Sequence, residues 1–571
     1  MTDNTATGSP SSYTGESSWA PSEPKATLDR LSPSIPPSDF LSSHVLKRKP
    51  AVFTSHLTDA SWSASQHWTD LEYLRSKAGE VEVKVERLDT RTGGFGSGLP
   101  RIKMPFGEFL EKLQSGCEMY LTTQYDDEEE GEGSGEETLP EPFTCPPPCK
   151  CLKDDFPLRP SLLHSLVPHQ VNLWLGRSQP PPSSGSQNRR ATQGEIDWTQ
   201  SRSSGLHHDH HDNLYVLLAG YKRFVLFPPS AHPHLFFYGS DAQVHENGVV
   251  SYEGAMGSDA LSERERWGWE VRRLQGVVAG LKKQRKKEKA AEKAKGALGG
   301  KFKLKGIGKK KTPLEEELEA AESALVDAED KYLDAIGDEG LEFGGEGMRD
   351  DFDALGDMLG GDEVAADGNV DNMDDTSSVA DTASVAGSIK GKGKARADGN
   401  SEPLSFSRIP ASALHAQLGL PSGSNAAEDG AGSDVGMGLK SLNPIVVYLK
   451  PGEMLYLPAS WIHEVSSASL PSPSPAAEAE SVSNGKRPRG EGALPDVHMA
   501  FNYWFYPPDQ ETGEGGEGVY KMQPLFDHLG GVIERKWKDD GARDGEKEES
   551  GTKGSKRVKV SYCESEPCGL R

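Results

Sequence analysis

The strongest constraint on the fold is one stretch of sequence, LHHDHHDNLYVLLAGYKRFVLFPP, which begins at Leu206. It holds two apolar, aromatic-rich runs of strand length around the turn Ala219-Gly220, and it is closed by prolines. They read as two strands around that turn. A second pair follows far downstream in PIVVYLKPGEMLYLPASWIHEV, around Pro451-Gly452, and VHMAFNYWFY adds another strand. Many short strands punctuated by Gly and Pro predict an all-β core of jelly-roll type.

The N-terminal half adds flanking helices. In SASQHWTDLEYLRSKAG, Trp68, Leu71, Leu74 and Ala78 recur at helical spacing. Thr69 is the expected N-cap, with Glu72 closing a capping box. VEVKVERL alternates like a strand, with Val81, Val83 and Val85 on one face. PFGEFLEKLQSG reads as a short helix from a proline to a glycine. MYLTTQY and VNLWLG are further strand candidates.

Composition divides the chain. Apolar residues make up only 35% of its 571 residues, so much of the length is not expected to bury a core. Residues 1–38 are rich in Ser, Thr and Pro and read as a disordered lead-in. Residues 39–256 form the first folded half. Residues 257–402 are a charged, low-complexity insertion, expected to be mostly disordered and partly helical. Its helical part includes TPLEEELEAAESALVDAEDKYLDAI, where Thr312, Pro313 and Glu315 make a capping signature. Residues 403–535 form the second folded half, with an inserted loop near 468–494, and 536–571 are a charged tail. An insertion between strands costs little if its ends stay close, so one barrel can close across it.

The net charge of -25 is made of blocks of both signs. That disfavours a simple nucleic-acid-binding domain. LKKQRKKEKAAEKAKG, GKRPRG and SKRVKV nevertheless resemble nuclear-import signals or nucleic-acid-contacting tails. The six cysteines are too unevenly spread for a disulfide framework. Cys145, Cys149 and Cys151 form C-x3-C-x-C with no matching second half, so free thiols in a surface loop are expected rather than zinc. No secretory signal or apolar membrane-spanning run is legible, and the cytosol or nucleus is the expected compartment.

The chemistry sits in His207-His208-Asp209-His210-His211-Asp212. At the start of a strand, residues two apart share a face. His207 and Asp209 would then point together into a barrel, and so, in the other phase, would His210 and Asp212. His463 is the best third ligand. Two histidines and one carboxylate leave the opposite face of iron(II) open. Spacing barely separates the two phases, and a histidine-rich surface patch is the bland alternative. No P-loop or Ser-His-Asp arrangement competes.

LHHDHHDNLYVLLAGYKRFVLFPP, GEMLYLPASWIHEV and FNYWFY together resemble the JmjC and cupin-like 2-oxoglutarate oxygenases, most of all the small JmjC-only protein hydroxylases. FLSSHVLKRKPAVF, WTDLEYL, MYLTTQY and VNLWLG are similar to segments found in that order in the family. The resemblance implies a double-stranded β-helix of the cupin type. It implies His207, Asp209 and His463 as iron(II) ligands, and 2-oxoglutarate and O2 as co-substrates. It assigns Lys222 to the distal carboxylate of 2-oxoglutarate, with Ser204 where relatives carry a threonine and Tyr120 lining the same pocket. Asn213 and Asn502 match asparagines near the iron-bound end. The loop inserted after Val465 departs from compact relatives and puts Asn502 in more doubt than His463. The implied activity is hydroxylation of a protein side chain with release of succinate and CO2. A tRNA base, a methylated histone lysine, or no catalysis at all in a metal-binding scaffold are the alternatives. A protein substrate is the expected partner and RNA the alternative. PLFDHLGGVIERKW is a candidate homodimer segment, and no membrane partner is expected.

Overall fold

The computed structural model describes residues 27–88, 95, 101–124, 139–177, 196, 198–245, 247–252, 257, 260–298, 311–343, 403–423, 438–468, 497–508 and 524–551. The loop expected near 468–494, from 469 on, and the tail after 551 lie outside the described residues, as does the acidic part of the long insertion.

Among the described residues, fifteen strands run in chain order. They are β1 (Asp29–Leu31), β2 (Ala51–Phe53), β3 (Glu82–Arg87), β4 (Ile102–Pro105), β5 (Met119–Leu121), β6 (Pro168–Arg177), β7 (Arg202–Ser203) and β8 (Asp212–Ala219). They continue as β9 (Tyr221–Phe227), β10 (Gln243–Val244), β11 (Val250–Ser251), β12 (Ile445–Leu449), β13 (Met454–Leu457), β14 (Ile462–Ala468) and β15 (Val497–Phe505). A nine-stranded sheet has the order β1-β2-β13-β8-β15-β6-β5-β3-β4, and a four-stranded sheet has the order β12-β9-β14-β7. Residues Tyr215, Leu217, Phe224, Leu226, Leu455 and Trp461 of the two sheets bury one another between them. This is the jelly roll. Gly220, at φ +73°, makes the turn between β8 and β9. That turn sends one strand to each sheet.

The outer face of the large sheet is covered by the N-terminal helices. These are α1 (Pro37–Phe40), α2 (Ala64–His67), α3 (Leu71–Ala78) and α4 (Phe106–Gln114). Phe40, Trp68, Leu71, Leu74, Phe106 and Phe109 join Val83, Val85 and Phe501 in one core. Each fully buried side chain of this kind contributes roughly 1.5–3 kcal/mol. Helix α3 begins one residue later than its sequence predicts. Its N-cap is Asp70, whose Oδ1 accepts the Glu72 N–H at 3.0 Å, and Thr69 is left outside. A carboxylate satisfies the free N–H groups and the helix dipole together.

Three other expectations change. The lead-in does not stay unpaired through residue 38: β1 pairs in parallel with β2, and Lys49 Nζ holds Asp29 at 2.6 Å. Only the last residue of the HHDHHD run, Asp212, belongs to strand β8, and His207 to His211 precede it. The cysteine-bearing loop is not simply a surface feature. Cys149 is buried in the main core, Cys151 is exposed, and all four described cysteines are free.

The long insertion contains a helical hairpin, α5 (Glu263–Leu298) and α6 (Pro313–Phe343). The expected capping box is present: the Glu315 N–H donates to Thr312 Oγ1 at 3.2 Å and the Thr312 N–H to Glu315 Oε2 at 3.3 Å. Helix α7 (Ala411–Leu418) covers the outside of the small sheet. Helix α8 (Pro524–Gly551) runs across residue 535, where the folded part was expected to end. No helix among the described residues is long and apolar enough to cross a membrane.

Candidate metal and co-substrate site

The segment Leu206–His208 lies beside β14 and continues the small sheet. His207 and His463 are bridged partners, exchanging N–H···O bonds of 3.0 and 2.7 Å. Opposed residues project to the same face, so the two imidazoles meet, with ring centroids 4.3 Å apart. Asp209 completes the group, its Oδ2 lying 3.8 Å from His463 Nε2. One ligand atom from each of His207, Asp209 and His463 falls within 4.8 Å of the others.

Both rings are oriented for coordination. His207 Nδ1 is bonded to the Gly205 carbonyl at 3.0 Å and His463 Nδ1 to the Trp461 carbonyl at 2.8 Å. A carbonyl can only accept, so each Nδ1 carries the proton and each Nε2 presents its lone pair. Burial, together with the neighbouring His207, pushes His463 down to about 4. It is therefore neutral, as a ligand must be. These residues fit an iron(II) ion with one face open.

The competing phase is used elsewhere. Asp212 Oδ1 accepts from Arg48 Nη1 at 3.1 Å and from the Ala459 N–H at 2.8 Å, and its Oδ2 accepts from Tyr456 OH at 2.7 Å. His210 Nδ1 bonds the Val250 carbonyl at 3.2 Å, and His208 Nε2 meets Tyr252 OH at 2.8 Å. His211 stacks on His169 at 4.2 Å.

Deeper in the barrel Lys222 is buried, with Nζ 2.5 Å from Ser467 Oγ, 3.4 Å from Tyr120 OH and 3.5 Å from His498 Nδ1. No carboxylate among the described residues pairs with it. Burial alone pushes its pKa down to about 7. An ammonium with hydroxyls around it and no anion fits one carboxylate of a small dicarboxylate.

Strand register explains the cradle. Tyr120, Gly176 and His498 oppose one another across β5, β6 and β15. A Cβ on Gly176 would come within 2.4 Å of the Tyr120 ring and 3.0 Å of His498. Only glycine lets the two rings approach Lys222 from both sides.

A hydrogen-bonded chain starts beside the cradle, where the Trp174 ring lies 6.2 Å from that of Tyr120. Trp174 Nε1 donates to Asn502 Oδ1 at 2.9 Å, and Asn502 Nδ2 to Asn213 Oδ1 at 3.0 Å. Both asparagines thus lie inside the barrel, despite the loop inserted before β15. Ser204 is elsewhere: its hydroxyl donates to the Gly205 carbonyl at 3.1 Å and accepts the Val465 N–H at 3.2 Å. The serine that touches Lys222 is Ser467. Sequence reasoning missed Ser467, His498 and Gly176. Period-2 alternation could have found two of them, since Ser467 is four residues from His463 and His498 four from Asn502.

Behind the site, on the outer face of the small sheet, Glu464 accepts from Ser203 Oγ at 2.6 Å and lies 3.2 Å from His415 Nε2. Arg223 Nη2 reaches Ser466 Oγ at 2.8 Å. This network fixes β14 from outside.

The cupin-like domain model matches residues 37–511 of this chain. The chain is 32% identical over 481 residues to JmjC domain-containing protein 4 of Schizosaccharomyces pombe, covering 83% of each. It is 27% identical over 215 residues to lysine-specific demethylase JMJ31 of Arabidopsis thaliana, covering 35% of each. It is 24% identical to lysine-specific demethylase JMJ32 of the same plant, over 36% of this chain and 51% of that protein. A match along most of the chain, with a jelly roll that brings two histidines and an aspartate together, identifies the chain as a member of the cupin-like JmjC domain family.

Proposed function

We propose that this chain is an iron(II)- and 2-oxoglutarate-dependent dioxygenase that hydroxylates a protein side chain. The observation that carries the reading is the pairing, inside one barrel, of an open His-Asp-His set with a buried lysine that no carboxylate among the described residues neutralises. When bound, iron(II) and 2-oxoglutarate together supply O2-driven oxidation of a C–H bond, coupled to release of succinate and CO2. The chain holds and orients. His207, Asp209 and His463 would bind the metal on one face. Lys222, Tyr120, Ser467 and His498 would hold the distal carboxylate. Asn213 and Asn502, locked to each other and to Trp174, would hydrogen-bond near the metal-proximal end. Leu217, Phe224 and Leu226 keep water from the space between the sheets.

Lysine demethylation is the second reading, favoured by the names of the two plant relatives. Hydroxylation of an N-methyl group uses the same site, so the two differ in substrate and not in machinery. The non-catalytic scaffold is disfavoured by the completeness of the ligand set and the cradle.

Anaerobic visible absorption with iron(II) and 2-oxoglutarate tests the proposal without a substrate. A charge-transfer band is expected, lost in His207→Ala, Asp209→Ala and His463→Ala and kept in His210→Ala. Folded, iron-loaded protein with no band would rule the oxygenase out.

A further inference from the structure

The row of side chains that starts at the triad continues outside it. Phe406 opposes His207 on the side away from His463, and its ring stacks on His207 at 4.9 Å and 12°. The next segment opposes residues 404–408 through the pair Phe237–Ser407. The Tyr238 N–H donates to the Phe406 carbonyl at 2.9 Å and the Arg408 N–H to the Phe236 carbonyl at 2.8 Å. Opposed residues share a face and neighbours alternate. Phe237 therefore faces the His208 side, where it stacks on His232 at 4.2 Å. Tyr238, Phe406 and Arg408 share the face of His207, and Phe236 lies next to Arg408 through their backbone bond. At about 4.8 Å per strand, Tyr238 stands about 10 Å from His207.

This face is exposed at its outer end. Phe236 is 54% and Tyr238 40% exposed. Phe236 is held at φ +50°, an uncommon and costly conformation for a bulky residue. Arg408 is exposed, and its guanidinium lies over the Tyr238 ring, 5.1 Å from the centroid. It has no carboxylate partner among the described residues. Stacking occupies the face of the guanidinium and leaves its in-plane N–H donors free for an anion.

We propose that Phe406, Tyr238, Phe236 and Arg408 form a docking platform for an extended segment of a protein substrate that carries an acidic side chain near the target residue. At about 3.3 Å per residue, the separation sets that acidic residue roughly three to five positions from the target. A single cation stacked on one aromatic ring suits one carboxylate. RNA would present a string of phosphates to a chain whose net charge is -25. The proposal rests on the oxygenase reading for the placement of the target residue at the metal.

The test uses the full chain and fluorescence anisotropy with three labelled probes. One is a random peptide pool with Glu fixed four residues from its centre, one is the same pool with Lys fixed there, and one is an oligouridine. The Glu pool is expected to bind about fivefold more tightly than the Lys pool, the scale of an exposed ion pair. Arg408→Glu is expected to reverse the order. Phe236→Ala with Tyr238→Ala is expected to weaken both pools, with the melting temperature and the charge-transfer band unchanged. Equal binding of the pools, a preference that survives Arg408→Glu, or oligouridine as the tightest probe would overturn the platform. A missing band with peptide discrimination intact would instead sink the oxygenase reading alone.

Discussion

Lys222 shows how far one residue's surroundings set its chemistry. In the ligand-free barrel burial holds it near 7. A carboxylate beside Nζ favours the charged ammonium and raises that pKa. Binding of 2-oxoglutarate above about pH 7 is therefore expected to take up a proton, and affinity is expected to fall as pH rises further. Calorimetry in buffers of different ionisation enthalpy measures this directly. Equal heats in all buffers, or uptake that survives Lys222→Met, would count against it. The lysine was legible in the sequence through its resemblance, because AGYKRF is a local motif. Alternation could place Ser467 and His498 on the inward face, but that they reach Lys222 follows only from the register of β14 and β15 against β9 and β6. The two phases of HHDHHD also differ in their partners at this scale, with His207 and Asp209 grouped with His463. Asp212 is consumed by Arg48, Tyr456 and Ala459, residues distant in sequence that no local spacing announces.

At the scale of elements, local signals served best where a helix needed only its own residues. The Thr312–Glu315 box was readable because both partners lie within one turn. The use of the hairpin was not. Trp269 near the base of α5 packs with Leu139, Tyr506, Phe526 and Leu529, which ties the hairpin to α8 and to the end of β15. Farther along, Leu281 meets Leu314 and Leu318. The insertion is thus attached to the barrel by a built interface. Trp269→Ala is expected to cost about 3–5 kcal/mol in chemical denaturation. Leu333→Ala, on the exposed face of α6, is expected to stay within about 0.5 kcal/mol. Similar losses from both would mean that the base is not anchored.

Across the whole molecule, burial of neutral imidazoles ties stability to pH. His169 and His232 are pushed down to about 4 by burial, and His498 well below its usual range. Their unfolded value is about 6.5. Between these limits the unfolded chain binds more protons, so the contribution is complete above about pH 6.5 and is lost as pH falls towards 4. Each such histidine removes up to about 1.4 kcal/mol per pH unit in that window. Melting temperatures of the metal-free protein from neutral pH downward are expected to fall steadily, and a flat profile would contradict this. The sequence by itself determined the longer strands, the turns at Gly220 and Gly452, the Thr312 cap and the residue types able to hold a metal, because each depends on neighbours within a few positions. Tertiary structure alone decided which phase of HHDHHD faces inward, which serine reaches Lys222 and how the hairpin is anchored. Those outcomes depend on pairings across hundreds of residues, where a shift of one residue in register turns every side chain to the opposite face.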